Sequence, residues 1–464
     1  MWCLSHRRVP SPVPAGPPLG APTKGISPML QRRTRRKMAA TAVAGALALT
    51  AAACGGDDGG SGDDGGPVTI WMSLDQSVVD GIDKQMQIAA EEAGIEVNIE
   101  RVDGIDKLIK TKIQAGDTPD IALLPQPGVV ASVVELGAAF PLDDVLDTDA
   151  LESSMVAGAL DAGMVDDQLY GLLTSMNVKS LIFYPKKAFE EAGYPQPESL
   201  DELTELADQI KSDGGTPWCL TMESGDATGW VATDWMEDLV MRYGGADAYN
   251  DWVSHDLPFT DPVVKEAAAY FENVALTEGN VLGGQQAITA TPFTEAARPM
   301  FDEGEPGCWL LKQGSFFVGP DFLPEDVFAN LDEELGVMGF PPAEAGGENP
   351  VLGGGDLAVL MSESEDAKTA MNLLATADIG KDAAPVSSFI SPFKDFDASL
   401  YPSETTRTIA NVAYDSTAFL FDGSDSMPAE VGAGSFWKEM TAWLNGDTDI
   451  DTALQNIDDS WPSS

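Results

Sequence analysis

Apolar and polar residues alternate along this chain with two different periods, which follow one another in turn from residue 68 onward. The short apolar run 68–71 (VTIW) is typical of a buried strand, and 79–93 then places apolar residues at helical spacing until Gly94. Residues 95–102 alternate again as a second strand. Strands that alternate with helices in this way predict an α/β fold class, with mostly parallel sheets covered by helices.

The same alternation continues toward the end of the chain. A helix is predicted over 105–115 and a strand over 120–124, and Ser199 with Glu202 forms a capping box that opens a helix over 200–211. Further strands are predicted at 178–184 (VKSLIFY), 308–311 and 357–361. A chain of 464 residues has room for roughly three domains of about 150 residues, or for two larger ones.

Charge is distributed very unevenly. The chain holds 75 Asp and Glu against 26 Lys and Arg, but residues 1–53 contain no acidic residue. The acidic excess therefore falls on the part of the chain that carries the strand and helix pattern. Such a surface repels phosphate backbones and anionic lipid headgroups, which argues against nucleic-acid binding and against membrane adhesion through a basic patch.

The first residues have the pattern of a secretory signal. A basic segment at 32–37 precedes small or apolar residues at 39–53. That stretch is shorter than the roughly 20 residues that a membrane-spanning helix needs, and its charged start and small-residue end are typical of a signal peptide, which we predict over 1–53. Residues 1–28 are Pro-rich and without pattern, which indicates a start at Met29 or Met38.

Cys54 directly follows three alanines, and this junction resembles the lipobox of bacterial lipoproteins, where cleavage leaves the cysteine at the new N-terminus for acylation. Ala51 stands where that motif usually has Leu, so cleavage by ordinary signal peptidase is the alternative. The Gly- and Asp-rich residues 55–66 form a flexible acidic tether that spans about 20 Å. Residues 54–66 are therefore predicted to hold a folded body just above a membrane surface.

Two cysteines remain within the strand and helix pattern, Cys219 and Cys308, and each has a tryptophan as its neighbour. In an exported chain, two such cysteines favour a disulfide. Two separate buried thiols are the alternative.

Catalytic and cofactor motifs are scarce. Of the two histidines, His255 lies in a polar segment typical of the protein surface. No P-loop, GxSxG or GxGxxG motif follows a predicted strand, so we expect no cofactor, no metal and no catalysis. Aromatic residues close to Gly, Asp and Gln, as at Trp230 and Phe316, indicate instead a site where the C–H faces of a sugar stack and its hydroxyls are hydrogen-bonded.

The order of several segments resembles the family-1 extracellular solute-binding proteins, which are the receptors of carbohydrate ABC importers. These segments are VTIW at 68–71, GDTPDIALLP at 116–125, 167–203 (from DQLYGLL to ESLDEL), LLKQGSFF at 310–317 and VLGGGDLAVL at 351–360. Within the family, three further segments are similar to the α-glucoside-binding branch, namely 215–242, 252–262 and 305–316.

The resemblance implies a two-lobed fold of the type II periplasmic-binding-protein kind, with a hinge between the lobes and a ligand cleft that closes by hinge motion. It implies that the chain crosses between lobes near 174–178 and 351–356. The N-terminal lobe would comprise 67–175 with 356–392, and the C-terminal lobe 176–355 with 393–464.

The resemblance also implies a set of sugar-binding residues. Gln313 and Phe316 match the family's aromatic platform, and Trp437 matches a stacking ring near the C-terminus, whereas Trp230 and Asp234 are proposed for the branch alone. The full set is Ser73, Asp75, Gln76, Gln126, Asn177, Trp230, Asp234, Gln313, Phe316, Asp356 and Trp437.

The implied partners are a small carbohydrate and membrane-embedded ABC permease subunits. The chain would act as a lipid-anchored monomer on the extracellular face of the cell membrane. A receptor for a polyamine is the alternative, because Asp75, Asp234 and Asp356 together with aromatic rings could hold a cation. A secreted glycosidase or esterase is the enzymatic alternative.

Overall fold

The structure of the protein is a computed structural model that describes residues 66–462. The predicted signal peptide, Cys54 and the tether up to residue 65 lie outside the described residues. Within 66–462, none of the helices has both the length and the apolar character needed to cross a bilayer.

Strands and helices alternate through the described chain. The strands are β1 (Val68–Met72), β2 (Val97–Arg101), β3 (Ile121–Leu124), β4 (Met164–Val165), β5 (Gln168–Leu169), β6 (Gly171–Val178), β7 (Leu181–Pro185), β8 (Leu311–Lys312), β9 (Leu335–Gly339), β10 (Val351–Leu360) and β11 (Phe419–Phe421). The helices of the first half are α1 (Gln76–Ala93), α2 (Ile105–Ala115), α3 (Pro127–Glu135), α4 (Thr148–Ser154), α5 (Lys186–Ala192), α6 (Leu200–Ser212) and α7 (Trp230–Val253). Those of the second half are α8 (Pro262–Leu276), α9 (Gln285–Ala290), α10 (Glu325–Ala329), α11 (Leu331–Glu334), α12 (Glu365–Leu374), α13 (Glu404–Tyr414), α14 (Gly423–Ser426), α15 (Trp437–Asn445) and α16 (Ile450–Asp459).

The larger sheet contains the first three strands of the chain. Its strands follow the order β11-β10-β3-β1-β2, and β6 also pairs with β10. β1 is parallel to β2 and to β3, as the alternation of strands and helices predicts, whereas β10 runs antiparallel to β3. All four residues of β3 are buried because helices cover both faces of the sheet around it.

The C-terminal lobe contains a three-stranded sheet in the order β8-β7-β9. Both of its pairings are antiparallel, so the prediction of a mostly parallel sheet does not hold for the described strands of this lobe. The single strand predicted over 178–184 is also wrong. β6 ends at Val178 and β7 begins at Leu181, because the hydroxyl of Ser180 accepts a hydrogen bond from the backbone of Leu352 and turns the chain into the second sheet.

α7 forms the centre of the C-terminal lobe. Its first turns are buried on every side, as a helix wholly inside a domain must be. Trp235 stacks on Phe271 of α8 with ring centroids 5.3 Å apart. One turn further, Asp238 is fully buried and forms ion pairs with Arg242 at 2.5 Å and with Lys312 at 2.6 Å.

Two strands, β6 and β10, carry the chain between the sheets and form an antiparallel pair. Val178 lies opposite Gly353 and Ser175 opposite Asp356. The start of β10 also pairs with β11, whereas its end pairs with β3, so this one strand belongs to both sides of the crossing. A Cβ at position 355 would lie 2.0 Å from the carbonyl oxygen of Ser175, so this close approach requires glycine. The segments 174–178 and 351–356, where the resemblance predicts the crossings between lobes, lie in these two strands.

Asp356 brings a buried carboxylate into this crossing. It accepts a hydrogen bond of 3.2 Å from the hydroxyl of Ser175. Burial raises the pKa of Asp356 to about 6, although the bond from Ser175 acts in the opposite direction. Since the charged form is disfavoured in the folded state, Asp356 costs stability at neutral pH.

The disulfide between Cys219 and Cys308 is confirmed, with the two Cα atoms 5.4 Å apart. Both residues are buried in the C-terminal lobe. The backbone of Cys219 also donates a hydrogen bond to the carbonyl of Leu310. The bond therefore closes a long segment, which includes α7 and α8, within one lobe.

We expect the Cys219→Ala/Cys308→Ala double variant to have a free energy of unfolding about 4 kcal/mol lower than that of the parent. The reason is that the disulfide restricts the unfolded chain over a separation of 89 residues. Urea denaturation with and without a reductant measures this. The reductant should destabilise the parent protein and leave the double variant unchanged. Equal stability of the oxidised parent and the variant would contradict the prediction.

We expect Asp356→Asn to raise the free energy of unfolding above pH 7 by about 3 kcal/mol, since an amide has no charge to desolvate. In the parent protein, the raised pKa of Asp356 contributes to the free energy of unfolding below pH 4, where the carboxyl group is neutral. This contribution is lost as the pH rises through about 6. The difference between variant and parent should therefore grow from pH 4 to pH 7 in urea denaturation. Asp144→Asn, at an exposed position, is the control and should show no such growth. Parallel pH profiles for Asp356→Asn and the parent would show the prediction to be wrong.

Candidate functional site

A cavity of about 1050 Å³ lies between the two lobes. From the N-terminal lobe it is lined by Asp75 and Ser77 at the start of α1 and by the turn at 385–390. From the C-terminal lobe it is lined by residues 315–322, which follow β8, and by residues 328–333 of α10 and α11. The cavity is large enough for a ligand of several rings, because small-molecule sites commonly measure roughly 300–1,000 Å³.

The lining combines rings, hydroxyls and carboxylates. Phe316 and Phe322 contribute rings whose centroids are 5.9 Å apart. The hydroxyls belong to Ser77, Ser315, Ser387, Ser388, Ser403 and Thr406, and the carboxylates to Asp75, Asp321, Asp332 and Glu333. None of the residues that line this cavity is Lys, Arg or His. The lining therefore suits an uncharged polyhydroxyl compound or a cation and disfavours an anion.

Trp230, the first residue of α7, adds a further ring beside Phe316. The centroid of its ring lies 6.0 Å from that of Phe316 and 5.1 Å from that of Phe293. Its indole N–H donates a hydrogen bond of 3.0 Å to the hydroxyl of Ser224. These contacts fix the position of a ring that is only partly buried.

Trp437 packs against the start of the same helix. A Cβ at Gly229 would lie 2.4 Å from the carbonyl oxygen of Trp437, and the φ of +129° at Gly229 is also one that favours glycine. The hydroxyl of Thr441 donates a hydrogen bond to the carbonyl of Thr228, one residue before Gly229. The indole N–H of Trp437 is buried without a partner among the described residues, so a ligand that reaches it could satisfy this donor.

Lys179 joins several of the predicted residues to one another. Its Nζ lies 3.1 Å from Oδ1 of Asp234, forms a second ion pair with Asp422, and stands 5.8 Å from the centroid of the Trp230 ring. Burial alone would lower the pKa of Lys179, but the attraction of Asp234 and Asp422 outweighs it and raises the pKa. Lys179 therefore remains a cation in the wall between α7 and α14.

The carboxylates around Lys179 respond to burial in different ways. Burial raises the pKa of Asp234 to about 6, against the attraction of Lys179. Burial and then repulsion by Asp422 raise the pKa of Glu237 well above its ordinary value. For Asp422, burial is outweighed by the attraction of Lys179, and the pKa is lowered. Asp234, Glu237 and Asp422 lie close enough to hold a metal ion, but the ammonium of Lys179 already pairs with two of them.

Gln126 connects this cluster to the N-terminal lobe. Its amide donates a hydrogen bond of 2.7 Å to Oδ1 of Asp425 in α14. α14 is held in turn by Asp422, which accepts from the backbone of Asp425, and by Glu237, which accepts from the backbone of Gly423. Burial and repulsion by Asp422 raise the pKa of Asp425 to about 7.

The structure places the eleven predicted residues in three groups. Asp75 and Phe316 line the cavity. Trp230, Asp234, Gln126 and Trp437 form the adjoining wall through the contacts described above. The others do not line the cavity: Ser73 and Gln76 flank Asp75, Asn177 and Asp356 lie on the crossing strands, and Gln313 is buried after β8.

Both glutamines among these outlying residues already use part of their hydrogen-bonding capacity within the protein. The amide of Gln76 donates to Asp80 on its own helix at 2.7 Å. The side-chain oxygen of Gln313 accepts from the backbone of Gly314 at 3.2 Å, and its amide nitrogen is buried without a partner in the described chain.

Sequence reasoning missed Lys179, Asp422 and Asp425. A signal was available for Lys179, since it is the only charged residue in the apolar run VKSLIFY. A lone charge in a buried strand needs a partner, and partners were to be expected among the acidic residues. Asp422 and Asp425 lie in a short acidic loop that resembles many others in this chain.

Comparison with known proteins identifies the fold and the family. A family model described as "Bacterial extracellular solute-binding protein" matches residues 76–381. A solved structure of the bacterial solute receptor AcbH, described as having an exclusive preference for β-D-galactopyranose, superposes with a TM-score of 0.73 at 19% identity, covering 85% of this chain and 98% of that one. This likeness confirms the two-lobed α/β fold.

Two curated relatives are closer in sequence. "Osmoprotective compounds-binding protein GgtB" of Synechocystis sp. is 34% identical over 409 residues, which cover 88% of this chain and 96% of the relative. "Alpha-glucosides-binding periplasmic protein AglE" of Rhizobium meliloti is 35% identical over 381 residues, 80% of this chain and 82% of the relative. The family comprises solute-binding receptors rather than enzymes. From the match over 76–381, the fold and these two relatives, the chain belongs to the bacterial extracellular solute-binding proteins.

Proposed function

We propose that the protein captures an uncharged sugar, an α-glucoside or a small oligosaccharide, in the cavity between its lobes and delivers it to an ABC permease. The observation that carries this proposal is the lining of that cavity, which combines aromatic rings with many hydroxyls and carboxylates and holds no basic side chain. The name of the Rhizobium meliloti relative, an α-glucoside-binding protein, supports the same ligand class.

The chemistry of the lining explains how a neutral ligand would be held. A sugar offers no charge, so its affinity has to come from stacking on rings and from many directional hydrogen bonds in a site that excludes water. Carboxylates such as Asp75 and Asp321, which line the cavity, would accept hydrogen bonds from pairs of ligand hydroxyls. Closure of the lobes would add contacts only in the closed form, and this difference in affinity would drive closure.

The predicted residues that do not line the cavity enter this proposal as contacts of the closed form. Hinge bending at β6 and β10 would carry the N-terminal lobe (67–175 with 356–392) toward the C-terminal lobe (176–355 with 393–464). Ser73 and Gln76 would then approach the ring wall from the opposite side. The buried, unpartnered amide of Gln313 and indole of Trp437 support a role in polar contacts.

For its place in the cell, we propose cleavage of the signal peptide before Cys54, acylation of that cysteine and anchoring of a monomer to the outer face of the cell membrane by the acidic tether. The basic and small-residue pattern of 32–53 supports export, and the acidic tether would keep the body away from anionic headgroups. The permease would then receive ligand from the closed form.

A polyamine receptor is the second candidate function, because a specific observation favours it. The cavity lining carries four carboxylates and no basic residue, and rings of Phe316 and Phe322 stand among them. Such a lining attracts cations as well as neutral polyols. Ligand-binding experiments with both classes of compound are therefore needed.

We expect trehalose, maltose, sucrose or a related α-glucoside to raise the melting temperature and spermidine to leave it unchanged. A ligand at 100 times its dissociation constant stabilises the folded state by about 2.7 kcal/mol, which is easily measured by thermal denaturation. Trehalose 6-phosphate is the matched control, and it should give a smaller shift than trehalose because its charge meets the carboxylates. Stabilisation by spermidine alone would favour the polyamine receptor.

We expect Trp437→Ala to weaken binding of the stabilising sugar at least tenfold without unfolding the protein, because it removes a ring and an indole donor from the wall. Isothermal titration calorimetry measures the affinity, and circular dichroism checks the fold. Trp461→Ala is the matched control, since this indole stacks on His255, with centroids 4.3 Å apart, and belongs neither to the cavity lining nor to the adjoining wall. Unchanged affinity of Trp437→Ala would remove Trp437 from the site.

A further inference from the structure

We propose that Lys179 is a positioning residue that couples the hinge to the ligand-binding wall, by holding the ring of Trp230 and helix α14 in fixed positions relative to the crossing strands. This inference rests on the proposed function, since it concerns the wall against which the ligand would be bound. Lys179 itself does not line the cavity.

The backbone of Lys179 belongs to the hinge. Lys179 directly follows β6, the first crossing strand, and its N–H donates a hydrogen bond of 2.8 Å to the carbonyl of Leu352 on β10, the second crossing strand. Its own carbonyl accepts a hydrogen bond from Leu181 at the start of β7. The backbone of Lys179 is therefore tied to the end of β6, to the start of β10 and to β7.

The side chain of Lys179 is anchored elsewhere. Its ammonium pairs with Asp234 on α7 and with Asp422, which caps α14. The side chains of these residues are 14%, 7% and 3% exposed, respectively, so water cannot easily replace either ion pair. Hinge bending therefore has to move α7 and α14 with the lysine or strain these pairs.

The same ammonium faces the aromatic wall. It stands 5.8 Å from the centroid of the Trp230 ring, a distance at which a cation is attracted to the face of an indole. Ser224 and Phe293 hold the edges of that ring. Lys179 thus completes the set of contacts that orient Trp230 next to Phe316.

Through Asp422 the lysine also acts on the contact between the lobes. Asp422 orients α14 by accepting from the backbone of Asp425, and Asp425 accepts the hydrogen bond of Gln126 from the N-terminal lobe. One buried cation therefore connects the crossing strands, the ring wall and an interlobe hydrogen bond. Its removal should disturb the binding wall and the balance between open and closed forms together.

The test compares Lys179→Met with Lys312→Met. Both substitutions remove a buried ammonium paired with an acidic residue of α7, but Lys312 pairs with Asp238 and faces the rings of Trp235 and Phe340 in the core. Both variants should melt at lower temperature. Only Lys179→Met should weaken binding of maltose, trehalose or sucrose, by at least tenfold in calorimetry, and Lys179→Arg should restore affinity to within threefold. The proposal would be overturned if Lys312→Met lost as much affinity as Lys179→Met. It would also be overturned if Lys179→Met lost no affinity.

A second measurement does not need a ligand. Acrylamide should quench the tryptophan emission of ligand-free Lys179→Met more strongly than that of the parent, because the ring of Trp230 loses its contact with the ammonium. The difference should vanish when both proteins carry Trp230→Phe. Should Lys179→Met fail to fold, Asp234→Asn provides the same comparison with the lysine retained. Failure of the parent to bind any of the three sugars would count against the proposed function, whereas equal quenching would count against the role of Lys179.

Discussion

The antiparallel pair of β6 and β10 is the constraint on which the rest of the molecule depends, because it carries the chain between the two sheets. The pair leaves no room for a side chain at Gly355, which faces the carbonyl of Ser175. At its ends stand the residues that matter for the site. Lys179 follows β6, and Asp422, which follows β11, donates its backbone N–H to Gly353 of β10. The hinge and the binding wall are therefore built from the same few residues.

Burial of charge next to this hinge is costly. Asp234, Glu237, Asp422 and Asp425 surround one lysine, and three of these carboxyl groups have raised pKa values as a result. Hydrophobic residues of the same volume would give a more stable core, since the desolvation of buried ions commonly exceeds what their pairing returns. A directional network, however, fixes α7, α14 and Gln126 relative to one another in a way that apolar packing does not.

The sequence predicts the helices and strands well and the pairing between strands less well. The predicted helix over 105–115 has the bounds of α2, and the helix predicted over 79–93 lies within α1, because periodicity is a local property. The strand predicted over 178–184 fails because the break at Lys179 and Ser180 depends on Leu352, far away in sequence. The antiparallel order of β8, β7 and β9 was equally out of reach, since β8 pairs over only two residues.

Of the site residues that the resemblance implies, one ring and one carboxylate line the cavity. These are Phe316 and Asp75, and Trp230 lies beside Phe316 with ring centroids 6.0 Å apart. The polar residues depend on which acid meets which base, and 75 acidic residues in the chain make any pairing from sequence uninformative. Lys179 shows what resolves this ambiguity. Basic residues are few, so each buried one selects its acidic partners, and those partners mark where the fold concentrates charge. In so acidic a chain, the scarce buried cations are therefore the better guide to where buried carboxylates cluster.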